Sequence, residues 1–290
     1  MAIVLTVMNM KGGVGKTTVS MHLGGALTRY VLNPAHGYKV LLIDYDPQFN
    51  LSQSYLKSKA YFDLDEKRLT TLRVLLGDEQ LNPYEIQVPG KHAPPKVAEV
   101  AVNVYKMRNG ALLDLVPSTL DLMYVALGQS SAQLQPMEER FAKFITECRT
   151  IYDVVIIDCH PAGSVFTKTS LQNSDHVIIP VVPQKFSVRG IGLMLKFIEA
   201  KKEGAKGPTP HILFNSVSRK GISAEEVAIR SNPAFAGKCL THTLKKYGAF
   251  SDPEEGVGFV WGSKKPYSKE AVHNLLAVVN EIRTRVGITP

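Results

Sequence analysis

The stretch that decides the fold runs Ile3-Val4-Leu5-Thr6-Val7 and then, after three residues, Lys11-Gly12-Gly13-Val14-Gly15-Lys16-Thr17-Thr18. An apolar β-branched run, a glycine-rich turn and a helical run from Val19 to Arg29 are the three parts of a phosphate-binding loop. Glycine tolerates the backbone angles and the close approach that let N–H groups curl around phosphate oxygens. Lys16 is spaced to reach the β- and γ-phosphates, and the Thr17 hydroxyl suits Mg²⁺. The helix beginning near Thr17 turns its positive end toward the same anion. Gly12, Gly13, Val14, Gly15 and Thr18 complete the nucleotide-binding set. Lys11 is not needed for that cradle and requires a separate explanation.

Outward from the loop, strand-like and helix-like runs alternate. This predicts an α/β fold: a doubly wound, mostly parallel sheet flanked by helices. Strands are expected at Ile3–Met8, Lys39–Asp44, Leu112–Val116, Val154–Asp158, Val177–Val182 and His211–Asn215, with an edge strand at Cys239–Thr243. Helices are expected at Thr17–Tyr30, Pro136–Ile151, Ser187–Lys202, Ser223–Ser231 and Ser268–Val286. The stretch from Ser58 to Asn109 is the least regular. It holds a charged segment (Asp63, Asp65, Glu66, Lys67, Arg68) and a Pro/Lys/His-rich piece, Pro89 to Lys96. It reads as surface excursions and short elements within one P-loop domain spanning 1–290, not as a linker between two.

Composition narrows the classes. With 290 residues and 44% hydrophobic content, a substantial core is available. No run of eighteen apolar residues exists, which argues against a transmembrane helix, and a strand and phosphate loop stand where a cleavable leader would be read. Cys148, Cys159 and Cys239 are odd in number and widely spaced, which fits a reducing cytoplasm and gives neither a disulfide framework nor a metal cluster. The formal charge of +8 suggests a polyanionic partner, nucleic acid before membrane, the alternative being a merely soluble basic protein.

In doubly wound sheets, ligands sit beyond the carboxyl ends of the strands, and three acids fall there. Asp158 ends Val154–Asp158, where a carboxylate holds Mg²⁺ through its water shell; the competing role is an N-cap for the next helix. Asp44 ends the second strand, and Asp46 follows in a turn fixed by Pro47. That spacing allows one carboxylate near the metal shell and the other near the γ-phosphate, where it would orient attacking water. An Asp-Pro turn without chemistry is the alternative.

Together these residues resemble the ParA/MinD family of deviant Walker ATPases. Lys11 to Thr18 matches the family's first motif. Leu41 to Gln48 resembles the second motif in its ParA form, and Tyr152 to Asp158 resembles Walker B. Leu113–Ser118 and Ile178–Pro183 are similar to two further ParA segments. The resemblance implies ATP and Mg²⁺ as ligands and a role for Lys11, which would cross to the partner's nucleotide in an ATP-sandwich homodimer. It implies Lys16 on the β/γ-phosphates, Thr17 on the metal, and Asp44 and Asp158 supporting the metal through water. Asp46 would position the attacking water, and Asn215 falls where such folds contact adenine. The chain departs from the pattern at Cys159-His160-Pro161, where relatives carry a small polar residue and proline. His160 has two readings, an approach to the site or a packed or solvated side chain, and the second is the expectation.

By the same resemblance, the ATP-bound dimer would bind DNA without sequence preference, and a ParB-like or cargo-bound partner would stimulate hydrolysis. Arg219 with Lys220, Lys245 with Lys246, and Lys264 with Lys265 are the candidate DNA contacts, matched by region; a solvated surface patch is the alternative for each pair. With no helix-turn-helix module ahead of the phosphate loop, sequence-specific operator binding is not expected. The expected location is the cytoplasm, on the nucleoid, without stable membrane insertion. The helix Ser268–Val286 is expected to pack on the domain, unlike a MinD-like amphipathic anchor. The rival readings are a MinD-like membrane-cycling regulator and a metabolic enzyme on the same scaffold.

Overall fold

The computed structural model describes residues 1–31, 37–79, 81–82, 85–90, 92–125, 131–160, 164–185, 187–200, 207–250 and 258–288. In chain order, the strands are β1 (Ile3–Val7), β2 (Lys39–Tyr45), β3 (Val102–Lys106), β4 (Leu112–Val116), β5 (Val154–Cys159), β6 (His176–Val181) and β7 (Thr209–Phe214). The helices are α1 (Lys16–Tyr30), α2 (Asn50–Tyr55), α3 (Ser58–Glu66), α4 (Thr71–Leu76), α5 (Val97–Val100), α6 (Leu122–Val125), α7 (Ser131–Ile151), α8 (Val165–Asn173), α9 (Ser187–Ala200), α10 (Ala224–Ser231) and α11 (Ser268–Val286).

The strands form a seven-stranded sheet in the order β3-β4-β2-β5-β1-β6-β7, parallel except for the β3–β4 edge pair. Both faces are covered, which is why the inner strands read as unbroken apolar runs. Alternate residues serve opposite cores. Leu41, Ile43 and Tyr45 of β2 join Phe141 and Phe144 of α7 on one face. Val40 and Leu42 join α1 and α11 on the other. Tyr45 stacks on Phe141 at 4.7 Å, so the second strand is fixed to α7 just before the turn that carries Asp46.

α11 buries Ala271, Leu275, Val278, Val279, Ile282 and Val286 against the α1 side of the sheet. Its apolar stripe is therefore occupied by the core. No helix among the described residues is long and apolar enough to cross a membrane.

Helices α2, α6 and α8 stand where the sequence reading named none, and one expected strand is not formed. Cys239–Thr243 makes an isolated bridge, Ile212 to Cys239, in place of an edge strand. The physical reason is Glu281 on α11: its carboxylate accepts the N–H groups of Thr241 and His242, both at 2.7 Å, and draws the backbone off the sheet. The short elements expected in the 58–109 stretch are, among its described residues, the helices α3, α4 and α5 and the antiparallel strand β3, whose register shifts between Asn103 and Tyr105; Leu72, Leu75, Val97 and Val100 of α4 and α5 join the core and are not on the surface. Lys91 within the Pro89–Lys96 piece, and Lys201 and Lys202 at the expected end of α9, lie outside the described residues.

Candidate nucleotide site

β1 and α1 deliver the loop between them to the carboxyl edge of the sheet. Gly13 (φ 71°) and Gly15 (φ 85°) adopt left-handed backbone, which the loop needs to turn its N–H groups inward. Gly15 also has a close neighbour: a Cβ there would lie 2.3 Å from the Asn215 Nδ2. Asn215 follows β7, and its Nδ2 donates to the Val14 carbonyl at 2.8 Å, while its Oδ1 accepts from the Ser216 N–H. Asn215 thus braces the phosphate loop from the neighbouring strand, a role the sequence did not disclose.

Asp158 lies at the heart of the site. It is 2% exposed, and its Oδ1 accepts from the Ser20 hydroxyl at 3.1 Å. Its Oδ2 is buried with no hydrogen-bond partner among the described residues. Burial pushes its carboxyl up to about 6; the Thr17 and Ser20 hydroxyls and the Lys16 charge pull the other way, while Asp46 adds to the rise. An orphaned carboxylate oxygen beside the Thr17 hydroxyl, at the phosphate loop, fits Mg²⁺. Among the described residues, no three His, Cys, Asp or Glu side chains are placed to hold a metal by themselves. An ion here would take most of its shell from water and phosphate oxygens, as Mg²⁺ prefers.

Asp44 pairs in register with Asp158 across β2 and β5. Its Oδ2 accepts from both the N–H and the hydroxyl of Ser52, at 2.8 and 2.6 Å. Burial and the Asp158 charge hold its carboxyl well above the usual range, against the pull of Ser52. Ser52 in turn accepts the Ser118 N–H at 2.9 Å, and the Ser118 hydroxyl donates to the Asp46 carbonyl at 2.6 Å. Asp44 therefore anchors α2 and the end of β4 to the turn that carries Asp46.

In that turn, the Asp46 Oδ1 accepts the Gln48 N–H at 2.9 Å, an Asx turn. Phe49 takes positive φ (43°) and stacks on Tyr61 at 4.9 Å. The His160 Nε2 stands 3.9 Å from the Asp46 Oδ1. His160 thus faces the candidate catalytic acid instead of packing elsewhere; the backbone bond from its N–H to the Tyr45 carbonyl carries it there. Pro161 lies outside the described residues. A cleft of about 670 Å³ opens beside Thr17 and Thr18, walled by Asn50, Gln53, Tyr61, Phe62 and Phe250.

Lys11 is exposed on the rim of the loop, and its Nζ donates to the Gln184 Oε1 at 2.5 Å. The basic pairs after β7 converge. Val217 and Lys245 form an isolated parallel bridge, and the Lys246 N–H donates to the Val217 carbonyl at 2.8 Å. The Arg219 guanidinium lies over the rings of Tyr247 and Tyr267, at 5.4 and 4.5 Å. Arg219, Lys220, Lys246, Lys264 and Lys265 are exposed, and Lys245 is half-buried.

Sequence reasoning missed Ser20, Ser52, Ser118, Asn9 and Gln184. Only Ser20 carried a signal: it stands four residues after Lys16, one helical turn along the same face.

Residues 2–207 match the family described as AAA domain. An uncharacterized protein of Methanocaldococcus jannaschii is 33% identical over 221 residues, 75% of this chain and 74% of that one. The chromosome partitioning protein ParA of Caulobacter vibrioides is 28% identical over 240 residues, covering 81% and 77%. Among solved structures, a plasmid partition protein from Borrelia burgdorferi bound to AMPPNP aligns with a TM-score of 0.65 at 19% identity, over 97% of this chain and 98% of that one. Cobyrinic acid a,c-diamide synthase from Mycobacterium smegmatis, with an ATP analogue and magnesium, aligns with a TM-score of 0.67 at 24% identity, over 98% and 95%. At these identities the two structures speak for the fold alone.

Proposed function

Because the chain belongs to the AAA-domain family and is a ParA/MinD-type P-loop ATPase, we propose that it is a partition ATPase that moves a plasmid, a chromosomal region or another cargo. ATP with Mg²⁺ would close two copies face to face, and the closed pair would bind DNA without sequence preference. A ParB-like or cargo-bound partner would then stimulate hydrolysis and release the pair. The single observation that supports this reading is the place of Lys11: it is exposed on the rim of the loop with its Nζ on the Gln184 Oε1, from where it would reach a neighbour's phosphates. Two polyanions facing each other need cations between them, and such a charge is worth most where water is excluded.

In this reading, Lys16 and the loop N–H groups from Gly12 to Thr18 hold the phosphates. Thr17 and Asp158 hold Mg²⁺, which supplies charge neutralisation at the phosphate oxygens when bound. Asp44 supports the metal's water shell while fixing α2. Asp46 orients the attacking water, with His160 at its side. Asn215 braces the loop and, by the family resemblance, would also contact adenine. The basic strip of Arg219, Lys220, Lys245 and Lys246 follows β7 directly, so nucleotide and DNA would be read at the same edge of the sheet. ATP acts through its greater affinity for the closed pair.

The deciding experiment is ATP turnover with DNA and a candidate partner, separately and together. Low basal turnover that the combination stimulates supports partition. Strong turnover with a small metabolite alone would overturn it in favour of a metabolic enzyme, for which the 670 Å³ cleft provides room.

A further inference from the structure

We propose that Gln184 is a positioning residue that stows Lys11 against its own subunit until nucleotide and a second copy are both present; the inference rests on the sandwich reading above. The Lys11 Nζ donates to the Gln184 Oε1 at 2.5 Å, although the two residues are 173 positions apart. Both are tied to one strand end. The Lys11 N–H donates to the Asn9 Oδ1 at 2.9 Å, and the Asn9 Nδ2 donates to the Pro180 carbonyl in β6 at 2.7 Å. Gln184 follows β6 in a closed turn. Its N–H donates to the Ser187 Oγ at 2.9 Å, the Ser187 hydroxyl donates to the Val182 carbonyl at 2.8 Å, and the Ser187 N–H returns to the Gln184 carbonyl at 2.8 Å. The two backbones are fixed, and what remains movable is the pair of exposed side chains.

The chemistry suits a reversible hold. The Gln184 amide oxygen is a neutral acceptor, so the ammonium keeps its full charge and leaves no anion behind when it departs. A glutamate there would grip harder and, once vacated, would repel polyphosphate. Water competes for both side chains, which keeps the bond weak enough for phosphates to displace it. The bond exists in each separate subunit and is broken in the pair, so it opposes assembly twice. A factor gained per chain enters the dimer constant squared.

The dimer constant is measured by size-exclusion chromatography with light scattering, using a saturating non-hydrolysable ATP analogue and Mg²⁺. Gln184→Ala and Gln184→Met both remove the acceptor, and the second keeps the side-chain length. Each is expected to dimerise more tightly, by about threefold per chain and so roughly tenfold per dimer, with unchanged circular dichroism. A residue serving only the turn would not tighten assembly. In the nucleotide-free monomer, acylation of Lys11 by a small amine-reactive ester, read by peptide mass spectrometry, is expected to quicken in both variants. Dimerisation equal to or weaker than wild type in both variants overturns the proposal. A wild-type chain that stays monomeric with the analogue refutes the sandwich reading instead; unchanged acylation in the variants would then also remove the role given to Gln184.

Discussion

The Asn215 amide donates to the carbonyl of Val14 at 2.8 Å across 201 positions of sequence, so the shape of the phosphate loop is held by a strand that the loop's own motif does not include. Val14 is 2% exposed, and its carbonyl has little access to water. Asn215→Ala is expected to cost about 1–3 kcal/mol, the usual result of leaving a buried acceptor unpaired. Urea unfolding and an ATP-analogue titration measure the two consequences, and both are expected to weaken.

Gly15→Ala adds a Cβ 2.3 Å from that same amide at φ 85°. The amide cannot swing aside without breaking its bond to Val14. The left-handed backbone alone costs about 1–2 kcal/mol for alanine, and the displaced amide adds to it. The combination Gly15→Ala with Asn215→Ala is therefore expected to be less damaging than the sum of the two, because the second change clears the space for the first. Strict additivity of the unfolding free energies would contradict the contact.

Burial pushes the carboxyl of Asp158 up to about 6 from its ordinary 3.8. The folded chain therefore holds this proton more tightly than the unfolded chain does. Its contribution to stability is present below about pH 4 and is lost as pH rises toward 6, by roughly 3 kcal/mol in the absence of cation. Asp158→Asn is expected to flatten this part of the stability-versus-pH curve while abolishing Mg²⁺-dependent nucleotide binding. Denaturant midpoints from pH 4 to 7 test the sign, and a wild-type curve rising through that window with no change in the variant would contradict it.

Asp46→Ala is expected to slow ATP turnover by about 10²–10⁴-fold, the range for loss of a positioned acid–base group. Nucleotide-dependent dimerisation and DNA binding are expected to persist, giving a trapped pair. Rapid turnover by this variant would remove the catalytic assignment.

Lys245→Ala and Lys246→Ala are expected to weaken DNA binding equally for unrelated sequences and to leave ATP-analogue binding intact. Each lysine–phosphate interaction removed lowers the slope of log affinity against log salt by about 0.9. Titrations at several salt concentrations with two unrelated duplexes measure both effects.

The parallel sheet was legible because its strands are β-branched runs without alternation, and the phosphate loop because its spacing is nearly unique to that chemistry. Asp46 and Asp158 were visible as acids at strand ends. The supporting groups were not, because Ser52, Ser118 and Asn215 act through contacts that only the folded chain creates. β3 was hidden because its alternation stops after Val102-Asn103-Val104: Tyr105 breaks the two-residue period where the register shifts. The edge strand expected at Cys239–Thr243 failed because a glutamate 40 positions later captures its N–H groups, a competition that propensity does not register.

The family match ends at residue 207, yet the amide that props the phosphate loop and the helix packed beneath α1 both come later. A fragment cut at that boundary would keep every recognisable motif and lose the scaffolding that gives them shape. The smallest piece competent to take up nucleotide is accordingly expected to extend past residue 207, to Asn215 and α11.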